Sequence, residues 1–184
     1  HHPALDFRVL PTFFEELTKN ITPTSLALQF LILTAARTGE VIFARWSEIN
    51  LSEATWTIPA ERMKAGREHR VPLSSLARFV LATARQISGD SDYIFGGRYP
   101  GAPLSNMAML ELLRRDETDA TPHGFRSTFR DWAAETTSFS GEVVEMALAH
   151  TIESKTEAAY RRGDLFSKRR DLMTAWSEIV CLAQ

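Results

Sequence analysis

Only one cysteine, Cys181, occurs in the 184 residues, so no disulfide can form within the chain, and no Cys/His spacing resembles a zinc site. That scarcity points to a reducing, cytosolic setting. Long apolar runs are missing as well. The most apolar stretch, Leu26 to Ala36, is broken by Gln29 and Thr34 and falls short of the roughly 18 residues a membrane span requires. No signal peptide, internal repeat or low-complexity tract is visible. Nor is there an excess of positive charge: 21 Lys+Arg against 23 Asp+Glu leave a net charge of −2. A uniformly basic nucleic-acid binder is thereby excluded, but a locally basic face is not. Arg161, Arg162, Lys168, Arg169 and Arg170 follow Tyr160 against a single acid, Asp164.

What is present describes an ordinary globular domain. With 44% hydrophobic and 24% charged residues, the chain is neither disordered nor fibrous, and its length suits one hydrophobic core. The pattern predicts a mostly helical, α+β fold with one small antiparallel sheet. Thr22 and Pro23 form an N-cap and first-turn proline for a buried helix running to about Arg37, where Thr38-Gly39 breaks it. A short helix follows from Glu40 to about Arg45. Strands are expected at Trp46–Asn50, Thr55–Ile58 and Glu68–Leu73, with Lys64-Ala65-Gly66-Arg67 turning between the last two. Ser74/Ser75 caps a helix whose Leu76, Phe79, Val80 and Ile87 have helical spacing. Gly89 to Leu104 reads as a loop with a short strand at Tyr93-Ile94-Phe95, and Ser105 as the next cap. Pro122-His123 opens a helix with Phe125, Phe129, Trp132 and Ala133 on its apolar stripe. Further helices run from Ser140 to about His150, from Ser154 through Tyr160, and from Ser167 onward with Leu172, Trp176 and Ile179 facing a core, its own or a partner's.

Several side chains carry chemistry. Tyr160 lies in Glu157-Ala158-Ala159-Tyr160-Arg161-Arg162. A phenol, with a pKa of about 10, attacks a phosphodiester only where its surroundings stabilise the anion or take its proton. His123 and Arg126 are three residues apart at a helix N-terminus, where positive potential favours phosphate. The plainer reading is a capping histidine and a solvated arginine. Arg37 and Glu40 form either a surface ion pair or a guanidinium oriented for phosphate. Lys64 is either a turn lysine or a general acid on an exposed hairpin, and His150 either a helix-end histidine or a further donor. Tyr160 itself could be a core tyrosine. Tyr93 and Tyr99 lack a cationic context.

Taken in order, Arg37-Thr38-Gly39-Glu40, Lys64, His123-Gly124-Phe125-Arg126, Leu148-Ala149-His150 and Tyr160 resemble the catalytic domain of a tyrosine recombinase. More narrowly, they resemble prophage and genomic-island integrases of the satellite-phage type. Arg45-Trp46-Ser47-Glu48-Ile49, Arg70-Val71-Pro72-Leu73 and Lys168-Arg169-Arg170-Asp171-Leu172-Met173 support the likeness, which runs from about Pro23 to the C-terminus. The resemblance implies the DNA breaking-rejoining fold and a site-specific recombinase. Tyr160 attacks the scissile phosphate to give a 3′-phosphotyrosine, Arg37 and Arg126 clamp the non-bridging oxygens, and His150 donates a further hydrogen bond. Lys64 protonates the leaving 5′ oxygen, His123 relays the tyrosine proton and Glu40 supports Arg37. Arg67, Arg161 and Arg162 are expected to touch DNA.

Religation to another strand conserves bond energy, so neither metal nor nucleotide cofactor is implied. The implied partners are double-stranded attachment sites and, in the full-length protein, a homotetramer whose C-terminal segments exchange. The implied setting is the bacterial cytoplasm, at the nucleoid. The first twenty residues are too few for the core-binding and arm-binding domains of such integrases. The expectation is therefore one catalytic domain over residues 1–184, binding DNA weakly and salt-sensitively. Two alternatives remain open on sequence. One is relaxation of DNA as by a type IB topoisomerase; the other is a non-cutting regulator derived from a recombinase.

Overall fold

A twelve-residue helix, Pro23–Thr34 (α2), runs through the centre of the molecule, with every side chain from Ser25 to Thr34 buried. The computed structural model describes residues 3–150 and 163–181. Thr22 caps α2 as the sequence predicts. Its hydroxyl accepts from the Ser25 amide at 3.1 Å, and its own amide donates to the Ser25 hydroxyl at 3.0 Å. The helix ends three residues sooner than expected, because Ala35 takes the left-handed conformation at φ 50°. Arg37 is consequently extended, and it caps the next short helix, Thr38–Ile42 (α3), rather than closing α2.

One helix, Leu10–Thr18 (α1), was not expected from sequence. Its Leu10, Phe14 and Leu17 have spacing i, i+4, i+7 and are buried against the core. The sheet is three-stranded and antiparallel in the order β1 (Ile49–Asn50), β2 (Thr55–Ile58), β3 (His69–Pro72). Trp46–Glu48 forms a 3-10 turn, not strand, and Tyr93 makes a single bridge to Arg45 in place of the expected short strand. Trp56 of β2 is opposite Val71 of β3 and rests on Phe30 of α2, ring centroids 5.1 Å apart. This contact seats the sheet against the central helix.

Ser75–Ile87 (α4) is capped by Ser74 as expected, but its buried face is Ala77, Val80, Leu81 and Ala84. Phe79 belongs to the opposite face and is 67% exposed, because helical phase and not side-chain size decides which face is buried. Helix α5 (Ala108–Arg115) starts three residues after Ser105. The Ser105 hydroxyl accepts from the Met107 amide in the preceding turn. The remaining helices are α6 (Gly124–Thr136), α7 (Gly141–Ala147) and α8 (Phe166–Cys181). The apolar stripe expected on α6 is buried. Helix α8 docks on this chain's own core, its Trp176 Nε1 donating to the Ile32 carbonyl of α2 at 2.8 Å. Among the described residues no helix is long and apolar enough to cross a membrane.

Candidate active site

Two helix ends meet beside the start of α6. The C-terminus of α2 delivers the Ala35 carbonyl, and the turn after α7 delivers those of Leu148 and Ala149. Ala149, like Ala35, is left-handed at φ 50°, a conformation that costs a non-glycine residue about 1–2 kcal/mol. Both strained alanines aim their carbonyls at arginines. Arg126, only 4% exposed, donates through Nη1 to the Ala35 carbonyl and through Nη2 to Leu148 at 2.6 Å. Arg37 Nη2 approaches the same Leu148 oxygen at 3.4 Å and Ala149 at 3.2 Å. Two guanidinium groups therefore share one carbonyl acceptor. The negative ends of the helix dipoles offset part of their repulsion.

Glu40 holds Arg37 twice. Its carboxylate accepts from the Arg37 backbone amide at 2.8 Å and from Nη1 at 2.7 Å, which leaves Nη2 directed inward. Among the described residues Arg126 has no comparable carboxylate. Its hydrogen-bond partners among the described residues are the two carbonyls and a ring nitrogen, Nε2 of His150, at 3.1 Å. Burial, followed by the nearby charge of Arg37, pushes the Arg126 guanidinium down to about 10, so it stays cationic at neutral pH.

The tautomer of His150 follows from these contacts. An arginine has no lone pair to offer, so Nε2 must accept, and the ring hydrogen sits on Nδ1. Nδ1 donates to Glu145 at 2.5 Å, and Arg130 holds the other Glu145 oxygen at 2.9 Å. Sequence reasoning missed Glu145. It lies on α7 while His150 lies past its end, and a five-residue separation across a helix terminus follows no periodic rule.

Arg37, Arg126 and His150 thus converge, with Glu40 behind the first. His123 is the exposed residue immediately preceding α6. Lys64 and Arg67 are exposed in the β2–β3 turn, where the Gly66 amide closes on the Met63 carbonyl and Gly66 itself takes φ 60°. Tyr160, Arg161 and Arg162 lie outside the described residues. The basic run near the C-terminus is in part structural. Arg169 is fully buried, donating to the Arg70 carbonyl at 2.6 Å and to Asp164 Oδ2 at 2.9 Å. Arg170 donates to the Glu53 carbonyl and covers the Phe166 ring together with Arg70 and Arg169. Arg70 also bonds Asp164 at 2.8 Å, so β3 and the start of α8 are clamped together. Burial works against the Asp164 charge, but Arg70 and Arg169 outweigh it and hold the carboxyl below its usual range.

His69 is a second residue that sequence reasoning left as a strand position. It hydrogen-bonds the Ala147 backbone. Burial first, then the Arg169 charge, pushes its ring down to about 4, while Glu40 acts in the opposite direction. The folded protein therefore binds fewer protons here than the unfolded chain between pH 6.5 and 4, and stability falls as pH drops through that window. The shift corresponds to at most about 3 kcal/mol. Urea unfolding at pH 7, 5.5 and 4.5 should show this loss, and His69→Gln should flatten the profile relative to the parent. Parallel profiles would contradict it.

A sequence model described as the Phage integrase family matches residues 4–165. The chain is 36% identical over 183 residues to Prophage integrase IntZ of Escherichia coli (strain K12). That match covers 98% of this chain and 45% of the relative, so the chain spans less than half of that protein's length. The fold is similar to the crystal structure of XerA recombinase, with TM-score 0.66 and 16% identity over 95% of this chain and 66% of that one. It is also similar to a lambda integrase(75-356) dimer bound to a COC′ core site, with TM-score 0.61 and 19% identity over 84% of this chain and 59% of that one.

Proposed function

Given that the chain belongs to the phage integrase family, we propose that it is the catalytic domain of a site-specific DNA recombinase that cleaves and rejoins strands through Tyr160. The observation that carries this reading is the paired guanidinium groups of Arg37 and Arg126 at one buried acceptor. The second of them has only carbonyl and ring-nitrogen partners among the described residues. Carbonyl dipoles hold a cation in place without neutralising it, and the uncancelled charge is available to a phosphate.

In this proposal the scissile phosphate settles against Arg37 Nη2 and Arg126, which stabilise its non-bridging oxygens as negative charge builds. The Tyr160 oxygen bonds to phosphorus while the bond to the 5′ oxygen breaks. The tyrosine proton leaves by way of His123, and Lys64 supplies a proton to the departing oxygen. Lys64 comes in from the exposed β2–β3 turn as DNA is seated. His150, its ring held through Nδ1 by Glu145, adds a further hydrogen bond at the phosphate. Exposed Arg67, with Arg161 and Arg162, contacts the DNA backbone. Double-stranded attachment sites in bacterial DNA are the substrate, and the whole protein works as a homotetramer; the core-site complex of lambda integrase supports the choice of duplex DNA.

Trapping tests the reading. The chain is incubated with nicked duplexes of randomised core sequence, so that a cleaved strand end diffuses away and religation fails. A detergent-resistant protein–DNA adduct should form, map by mass to the peptide containing Tyr160, and be absent with Tyr160→Phe. No adduct from the parent chain, or one that persists in Tyr160→Phe, would overturn the proposal.

A further inference from the structure

The first described residues do not trail in solvent. They cross the N-terminus of α6, and Gly124 is where they cross. A β-carbon built on Gly124 would lie 1.9 Å from the Pro3 carbonyl oxygen and 3.0 Å from the Ala4 Cα. These are backbone atoms, which cannot swing aside as a side-chain tip can. Pro3 is fixed there by the Thr121 amide, which donates to its carbonyl at 3.1 Å. Two residues on, the Leu5 carbonyl accepts from the Thr128 hydroxyl at 2.6 Å. Arg8 reaches Glu135 at 3.2 Å, and Phe13 of α1 stacks on Phe125 with centroids 5.6 Å apart. The segment thus follows α6 from before its first turn almost to its end.

That first turn is the one bearing Arg126 and following His123. Helix α6 is held from below by its buried Phe125, Phe129 and Trp132 and from above by residues 3–8. We propose that Pro3–Leu5 is a positioning strap, and Gly124 a positioning residue, which together set the height of the α6 N-terminus and hence the placement of Arg126 against Ala35, Leu148 and His150. The absence of a side chain at 124 is what allows the strap to lie close enough to take the Thr121 and Thr128 hydrogen bonds. The catalytic half of this inference rests on the recombinase reading above.

Glycine within a helix is intrinsically a poorer choice than alanine, which gives a test of sign. At an unencumbered position Gly124→Ala would raise the melting temperature. Under the strap it should lower it, and hydrogen exchange at the Thr121 and Gly124 amides should accelerate. Displacing a positioned group by about 1 Å costs on the order of 100-fold in rate. Adduct formation on the nicked duplexes should therefore fall by about 10- to 100-fold, while affinity for the same duplexes changes less than about threefold, since phosphate contacts elsewhere dominate it.

Thr128→Val, which keeps shape and removes the Leu5 hydrogen bond, should give a smaller loss. Adding Gly124→Ala to it should cost less than in the parent, because the strap is already loosened. A raised melting temperature with unchanged exchange overturns the strap. Fully additive losses in the double variant overturn the shared mechanism. Should the parent form no adduct at all, the recombinase reading fails, but the melting temperature and exchange still decide whether the strap sets the α6 N-terminus.

Discussion

Arg126→Lys should reduce the single-turnover rate of adduct formation by about 10²–10³-fold while leaving a positive charge of the same sign in the sequence. The reason is geometric. The guanidinium spans the Ala35 carbonyl on one side and the Leu148 carbonyl and His150 Nε2 on the other, using a planar fork that a lysine lacks. An ammonium group could satisfy one side and would leave a buried carbonyl on the other unpaired, at about 1–3 kcal/mol. It would also be a poorer cation in this place. The burial and the Arg37 charge that push the arginine down to about 10 act on an intrinsically weaker base, whose charged fraction they would erode. A phosphate arriving at Arg126→Lys would then meet one well-oriented guanidinium instead of two. Excess protein over nicked duplex isolates the chemical step, and binding measured in parallel separates it from affinity. A loss below about tenfold would show that Arg126 serves the fold and not the phosphate.

The same residue shows how far sequence could go. Its helix and its apolar neighbours Phe125, Phe129 and Trp132 follow from periodicity. The cap and proline of α2 are legible in the sequence as well. The environment that makes Arg126 a buried cation does not follow. It depends on where α2 and α7 stop, and both stop at left-handed alanines, residues with no propensity to advertise that role. A helix read through to Arg37 would place that arginine one turn away from the carbonyls it meets.

Long-range pairings were hidden for a related reason. The pairing of Arg70 with Asp164 and Arg169 is decided by which elements dock, not by spacing within one. The basic run near the C-terminus looked like one surface, yet Arg169 is among the most buried side chains in the molecule. Lys64 was legible as an exposed turn residue, and it is one.

Trp176→Ala should lower the unfolding free energy by about 3–5 kcal/mol, the cost of emptying a large aromatic site. Trp176 is fully buried, with its ring 5.0 Å from Trp132 and 5.3 Å from Phe129 of α6 and its indole nitrogen on the Ile32 carbonyl of α2. One side chain therefore fastens α8 to α2, whose end presents the Ala35 carbonyl, and to α6, which carries Arg126. Trp176→Phe keeps most of the ring contact and loses the hydrogen bond, so it should cost only about 1–2 kcal/mol. For a domain of this length the alanine variant should melt about 10–15 °C lower.

The dependence on protein concentration is the informative part of that measurement. A helix docked on its own chain gives a melting temperature that does not change with dilution, whereas one docked on a neighbour would lose stability as protomers separate. Dilution should leave the parent's melting temperature fixed. The functional consequence follows from the clamp at the other end of α8. Asp164, bonded to Arg70 and Arg169, ties the chain just beyond Tyr160 to the strand β3, and α8 continues from that point. Freeing α8 from α2 and α6 removes the support behind the clamp. Adduct formation by Trp176→Ala should consequently fall more steeply with temperature than its folded fraction does. Loss of activity that tracks the folded fraction alone would show that α8 stabilises the domain without helping to place the tyrosine.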